Sequence, residues 1–133
     1  HWQIPAIKEG ADFVTPDGTV VPNGRLTTAP TPAASYAYCS DTAFDLRVAE
    51  AVKGTDVIYH EATYGDEQAA RAGIRGHSTA RQAARIASEA GASRLVIGHY
   101  SKTVTDSSVL VAQATEEFPA VIAANEGMKI DIR

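Results

Sequence analysis

The chain has 133 residues, 44% of them hydrophobic and 21% charged, which suits one globular domain with a modest core and excludes a disordered segment. Sixteen acidic residues against twelve lysines and arginines leave a net charge of −4. That balance excludes a general binder of phosphate backbones, so any nucleic acid must be met by a local patch, a metal or another segment.

No apolar stretch approaches the about 20 residues of a membrane helix, so no membrane partner is expected. The single cysteine, Cys39, cannot form an internal disulfide and fits a reducing cytoplasm. The chain starts at His1 without a signal peptide, and its only methionine is Met128. It therefore reads as a piece of something longer.

Residues 1–33 are rich in proline and glycine and read as an extended or hairpin lead-in. "FVTPDGTVVP" predicts two short strands around Pro16, Asp17 and Gly18, and "GRLTTAPTPAA" predicts extended chain. Residues 34–133 read as an α/β portion. "SYAYCS" predicts a strand, and Phe44, Val48, Ala51 and Val52 predict a helix stopped by Gly54. "DVIYH" predicts a buried strand, and "DEQAARAG" a short helix ending at Gly73. "STARQAARIASEAGA" predicts a helix with Ser78 as its cap, Ala80, Ala83, Ala84 and Ala87 on one face, and Gly91 at its end. "RLVIGH" predicts a strand and "DSSVLVAQATEEF" a helix capped by Asp106. "AVIAA" and "MKIDI" predict the last strands. Strands alternating with helices predict an α/β fold with a sheet at least partly parallel.

Three of these strands end in ionisable groups: Asp41 after "YAYCS", His60 and Glu61 after "VIY", and His99 after "LVIG". Open α/β sheets bind ligands beyond the carboxyl ends of their strands, so parallel neighbours line these groups along one rim. His77 of "GHSTA" precedes a helix start. Each residue also has a plain structural role open to it. Asp41 can cap the following helix, Glu61 can pair with Arg75, and a histidine at a strand end can be a hydrogen-bonded structural residue. Together they suit metal-assisted hydrolysis, because imidazole and carboxylate bind Zn²⁺, Mn²⁺ or Fe²⁺ and a histidine held by a glutamate moves protons near neutral pH. The chain carries no H-x-H, H-E-x-x-H or cysteine pair.

"YCSDT", "HEAT", "GHSTA" and "GHYS", in this order, resemble the C-terminal half of the ribonuclease Z family. These are the endonucleases that trim the 3′ trailer of precursor tRNA, within the metallo-β-lactamase superfamily. The resemblance runs from about Ile4 to Ile132. It implies half of an αββα sandwich, with a mixed sheet and helices on one face. It implies that Asp41 bridges two zinc ions, that His99 ligates one of them, and that His77 contacts the scissile phosphate and protonates the leaving group. Glu61 is implied to orient His77, and His60 to be structural. Ser78, Thr79 and Ser101 are implied supports, the first two helping to hold phosphate.

A complete site takes two Zn²⁺, with Mn²⁺ or Fe²⁺ as substitutes, and this chain alone is expected to hold none or an incomplete set. The H-x-H-x-D-H motif, a further histidine ligand and the tRNA-gripping arm are not in the sequence, and Lys102-Thr103-Val104 follows "HYS" where the family often has Arg and Tyr. The implied partners are precursor tRNA through the complete enzyme, the N-terminal half of the same domain, and a second copy in a homodimer. Two other readings are a fragment of a different hydrolase of the superfamily, acting on phosphodiesters or sulfate esters, and a non-catalytic dimerisation module.

Overall fold

The computed structural model describes residues 2–132. The chain divides into two units, one ending at Ala33 and the other beginning at Ala34.

In the first unit the expected hairpin is present. Strand β1 (Phe13–Val14) pairs antiparallel with β2 (Val20–Val21), Phe13 opposite Val21. Gly18 turns the chain with a φ of 86°, in the left-handed region where glycine has no Cβ to clash. Two elements stand where extended chain was expected. Helix α1 (Ile4–Lys8) carries Pro5 in its first turn, where no N–H is needed and φ is preset. A 3-10 turn covers Asn23–Arg25. Asn23 clips this unit together: its Nδ2 donates to the carbonyls of Ile7 (2.7 Å) and Ala11 (2.9 Å), and its N–H donates to Asp12 Oδ1 (2.7 Å). Among residues 2–33 none is buried.

The second unit is built on strands β3 (Tyr36–Cys39), β4 (Val57–Glu61), β5 (Arg94–Gly98) and β6 (Val121–Ala123). They lie side by side in chain order and every pair is parallel. Antiparallel pairing is confined to the separate β1–β2 sheet. Between them run helices α2 (Leu46–Ala51), α3 (Ala69–Arg75), α4 (Ala80–Ala90) and α5 (Ser107–Thr115), with a 3-10 turn (Asp66–Gln68) leading into α3.

Strand alternation sends Ile58, Leu95 and Ile97 to one face, where they form the core with Ala49, Ile86, Leu110 and the alanines of α4. Ala80, Ala83, Ala84, Ala87 and Ala90 bring α4 close to the sheet, between α2 and α5. Each fully buried isoleucine or leucine here contributes about 1.5–3 kcal/mol relative to exposure. On the opposite face Tyr38 stacks on Tyr59 with ring centroids 4.7 Å apart, and Tyr36 and Tyr38 are exposed.

Four local expectations are corrected. Helix α2 starts only after Asp45, whose carboxylate accepts from the Arg47 N–H at 2.9 Å, so Phe44 lies outside it. The helix expected to stop at Gly73 runs on to Arg75, because Gly76 and not Gly73 takes the left-handed conformation, with φ 73°. Thr79, not Ser78, caps α4, in a reciprocal box with Gln82. Residues 128–132 form no strand. Met128, Ile130 and Ile132 instead line a groove with Tyr36, Val57, Tyr59 and Val96 on the helix-free face.

Candidate functional site

Parallel register sets the site. Cys39 pairs with His60 and His60 with Ile97, while Glu61 pairs with Gly98. The segments that leave β3, β4 and β5 therefore emerge side by side at one rim: Asp41 from the first, Glu61 to Thr63 from the second, His99 from the third. His77 arrives from the loop between α3 and α4. A parallel bridge between Tyr64 and Thr79 holds that loop beside the end of β4.

Backbone and hydroxyl contacts lock the four motifs to one another. Ser78 Oγ donates to the Thr42 carbonyl at 2.7 Å, and the Thr42 N–H donates to Glu61 Oε1 at 2.9 Å. The Ser101 N–H donates to the Thr63 carbonyl at 3.0 Å. Ser78 and Thr79 thus spend their hydroxyls inside the fold, on Thr42 and on the α4 cap, and Ser101 Oγ bonds Thr103.

Glu61 is fully buried and each of its oxygens is satisfied. Oε1 accepts from Thr42 N and from His77 Nδ1 at 2.8 Å, and Oε2 accepts from the Thr63 N–H and hydroxyl. It pairs with His77, not with Arg75. Burial pushes its carboxyl up, but the bonds from Thr63, His77 and the Ser78 backbone outweigh this and hold it below the ordinary glutamate value. Glu61 is therefore ionised at neutral pH, and His77 Nδ1 must be its donor.

Asp41 and His99 are the two non-glycine residues with positive φ among those described, at 49° and 57°. This conformation costs an L-residue about 1–2 kcal/mol. Asp41 does not cap α2, since Asp45 does. Its Oδ1 lies 3.2 Å from His99 Nε2 and 3.9 Å from His77 Nδ1, and the His77 and His99 rings stack with centroids 5.6 Å apart. Donor atoms of Asp41, His77 and His99 fall within 4.8 Å of one another.

His60 stands apart from this group. It is 1% exposed, and burial above all pushes its pKa down, so it is neutral. Its Nδ1 donates to the Glu61 carbonyl at 2.7 Å, and its Nε2 has no partner among the described residues.

The Asp41–His99 pair fits a metal. Two ligands at 2.0–2.1 Å from a tetrahedral zinc lie about 3.3 Å apart, close to the observed contact. Glu61 holds His77 at Nδ1, the atom 3.9 Å from Asp41, so His77 could offer an ion its Nε2 alone. Two donors are fewer than the three or four protein ligands that zinc sites use. The sequence reading missed Thr63, the last residue of "HEAT". Its hydroxyl touches Glu61, His77 and His99, the last from 36 positions away in the chain. Threonine at a strand end is ordinary, so no local signal marks it.

The β-lactamase superfamily domain is recognised over residues 15–100. The chain is 50% identical over 130 residues to the ribonuclease Z of Porphyromonas gingivalis, covering 98% of this chain and 43% of that protein. It is 48% identical over 136 residues to the ribonuclease Z of Parabacteroides distasonis, covering 98% of this chain and 45% of that protein. The chain thus spans less than half the length of these relatives. In fold it is similar to the metallo-β-lactamase fold protein YhfI from Bacillus subtilis, with a TM-score of 0.67 at 20% identity, covering 89% of this chain and 46% of the other. The chain belongs to the β-lactamase superfamily.

Proposed function

We propose that this chain is the C-terminal part of a ribonuclease Z-like zinc phosphodiesterase that removes 3′ trailers from precursor tRNA, and that it supplies half of the active site. The observation that carries the reading is the Glu61–His77 bond beside the Asp41–His99 pair. A buried carboxylate there holds a partly exposed imidazole next to a two-donor metal corner. The ribonuclease Z proteins of Porphyromonas gingivalis and Parabacteroides distasonis support the substrate class.

Asp41 and His99 would hold zinc. When bound, zinc lowers the pKa of its water toward about 7 and stabilises charge on phosphoryl oxygens. His77 keeps Nδ1–H on Glu61, so its Nε2 is the atom that exchanges a proton with the substrate. Carrying a proton there, it gives it to the departing ribose oxygen, while the Glu61 carboxylate keeps the ring oriented through Nδ1–H. Glu61 itself stays ionised.

The H-x-H-x-D-H ligands would come from the N-terminal half of the same domain, seated on the helix-free sheet face. The exposed Tyr36 and Tyr38 on that face support this placement. A second copy of the chain is the competing occupant. Among the described residues no helix is long and apolar enough to cross a membrane. The lone, unpaired Cys39 supports a reducing compartment such as the cytoplasm.

The test is complementation. The chain is assayed on precursor tRNA with zinc, alone and after co-expression with a half that carries H-x-H-x-D-H. Trailer removal only in the complemented protein, lost with His77→Ala, is the expected result. Efficient cleavage by the pure chain, or none by a folded complex, overturns the reading.

A further inference from the structure

We propose that Thr63 is a positioning residue that fixes the tautomer of His99, so that the His99 Nε2 lone pair faces Asp41. This deepens the reading above and rests on its assignment of Asp41 and His99 as metal donors. The Thr63 hydroxyl has four polar neighbours: Glu61 Oε2 in a short contact, His99 Nδ1 at 3.0 Å, the His99 carbonyl at 3.0 Å and His77 Nδ1 at 3.4 Å.

A hydroxyl has one proton to give. The short contact with a carboxylate takes it, because two oxygens that close without a proton between them repel. The His99 carbonyl is the other oxygen acceptor. With either choice, no hydroxyl proton is left for His99 Nδ1. That nitrogen must then donate its own hydrogen to Thr63 Oγ1. His77 Nδ1 is already committed to Glu61 at 2.8 Å. Both imidazoles are thus protonated at Nδ1, and Glu61 orients the two of them, His77 directly and His99 through Thr63. His99 Nε2 is left as the atom 3.2 Å from Asp41 Oδ1, the geometry of two donors on one cation.

Long-range ¹H–¹⁵N correlation of the histidine side chains in the metal-free chain reads the tautomer directly. With no cation between them, the Asp41 carboxylate 3.2 Å from His99 Nε2 itself favours a hydrogen there, so the tautomer is read in an Asp41→Gly background, which suits the positive φ at that position. With Thr63 intact, that chain is expected to show His99 with its hydrogen on Nδ1. Thr63→Ser keeps the hydroxyl and is expected to preserve that state. Thr63→Val removes it and is expected to move His99 toward the Nε2–H form. A His99 protonated at Nε2 with Thr63 intact in this background overturns the proposal whether or not either Thr63 variant folds. So does a folded Thr63→Val with an unchanged His99. Zinc titration followed at His99 provides the second readout, with a loss in affinity of about 10–100-fold expected for Thr63→Val and little change for Thr63→Ser. Equal affinities in the two variants contradict the role. The tautomer is measured without substrate or partner, so its failure is distinct from failure of the complementation assay.

Discussion

Glu61 Oε1 accepts a hydrogen bond from His77 Nδ1 at 2.8 Å, with the carboxylate fully buried and the histidine side chain 24% exposed. A charge with no solvent contact directs a group that has some. Thr42 N and Thr63 satisfy the remaining lone pairs of Glu61, so the carboxylate has no freedom to turn away. Burying a charge is tolerable only when it is bonded in this manner.

Glu61→Gln is therefore expected to be far from conservative. Every neighbour of the carboxylate oxygens is a donor, and the glutamine NH₂ must face two of them. The expected loss is about 3 kcal/mol of stability, read as a lower urea midpoint. A loss below about 0.5 kcal/mol contradicts the bonding pattern.

His77→Ala is expected to cost both folding and chemistry, in different measure. The ring is partly exposed, but its removal takes one donor from the buried Glu61 carboxylate, so a loss of about 1–3 kcal/mol of stability is expected, read as a lower urea midpoint. In the complemented enzyme the same change is expected to lower the rate of trailer cleavage about 10²–10⁴-fold. Single-turnover kinetics checks this, and retention of full rate removes His77 from the reaction.

Acid is expected to destabilise the fold in two stages. Burial holds folded His60 below its ordinary value, so the unfolded chain takes up that proton first. The stability due to neutral His60 is fully present above about pH 6.5 and is lost as pH falls below that. Glu61 is also held low, as its hydrogen bonds outweigh its burial, and its share is lost only as pH falls below about 4.3 toward its folded value. Urea midpoints between pH 8 and pH 3 measure both stages. His60→Asn keeps a donor for the Glu61 carbonyl and is expected to remove the first stage alone. An unchanged profile in that variant contradicts the assignment.

Gly98→Ala tests the approach to the rim. A Cβ there would lie 2.8 Å from Cε2 and Cζ of Tyr59 and run into its hydroxyl. The ring has to shift, and with it the Tyr38–Tyr59 stack. The expected cost is about 1–3 kcal/mol, with altered tyrosine ring signals by NMR. Parental stability with unchanged rings contradicts the packing.

The sheet and the rim were legible because they follow from local pattern and one rule of topology. The apolar run of "DVIYH" marked β4 as a buried strand, the alternation of strands with helices marked the sheet as at least partly parallel, and the rule that ligands sit beyond carboxyl ends collected Asp41, His60, Glu61 and His99. Gly91 and Asp106 marked helix ends with unambiguous chemistry. The misses came where two residues compete for one role. Gly73 and Gly76 can each stop a helix, and Ser78 and Thr79 can each cap one, so tertiary contacts decide. Ser78 is drawn away by the Thr42 carbonyl. Thr63 was illegible because its partners His77 and His99 are distant in sequence and only folding brings them to its hydroxyl.

Zinc stoichiometry, measured on the chain alone and on its complex with an H-x-H-x-D-H-bearing half, tests the central claim most directly. The account expects at most one weakly held ion on the chain alone, weakened further by Asp41→Asn and His99→Ala, and two tightly held ions in the complex. Two tight ions on the isolated chain, or a complex whose zinc is indifferent to both substitutions, would contradict it.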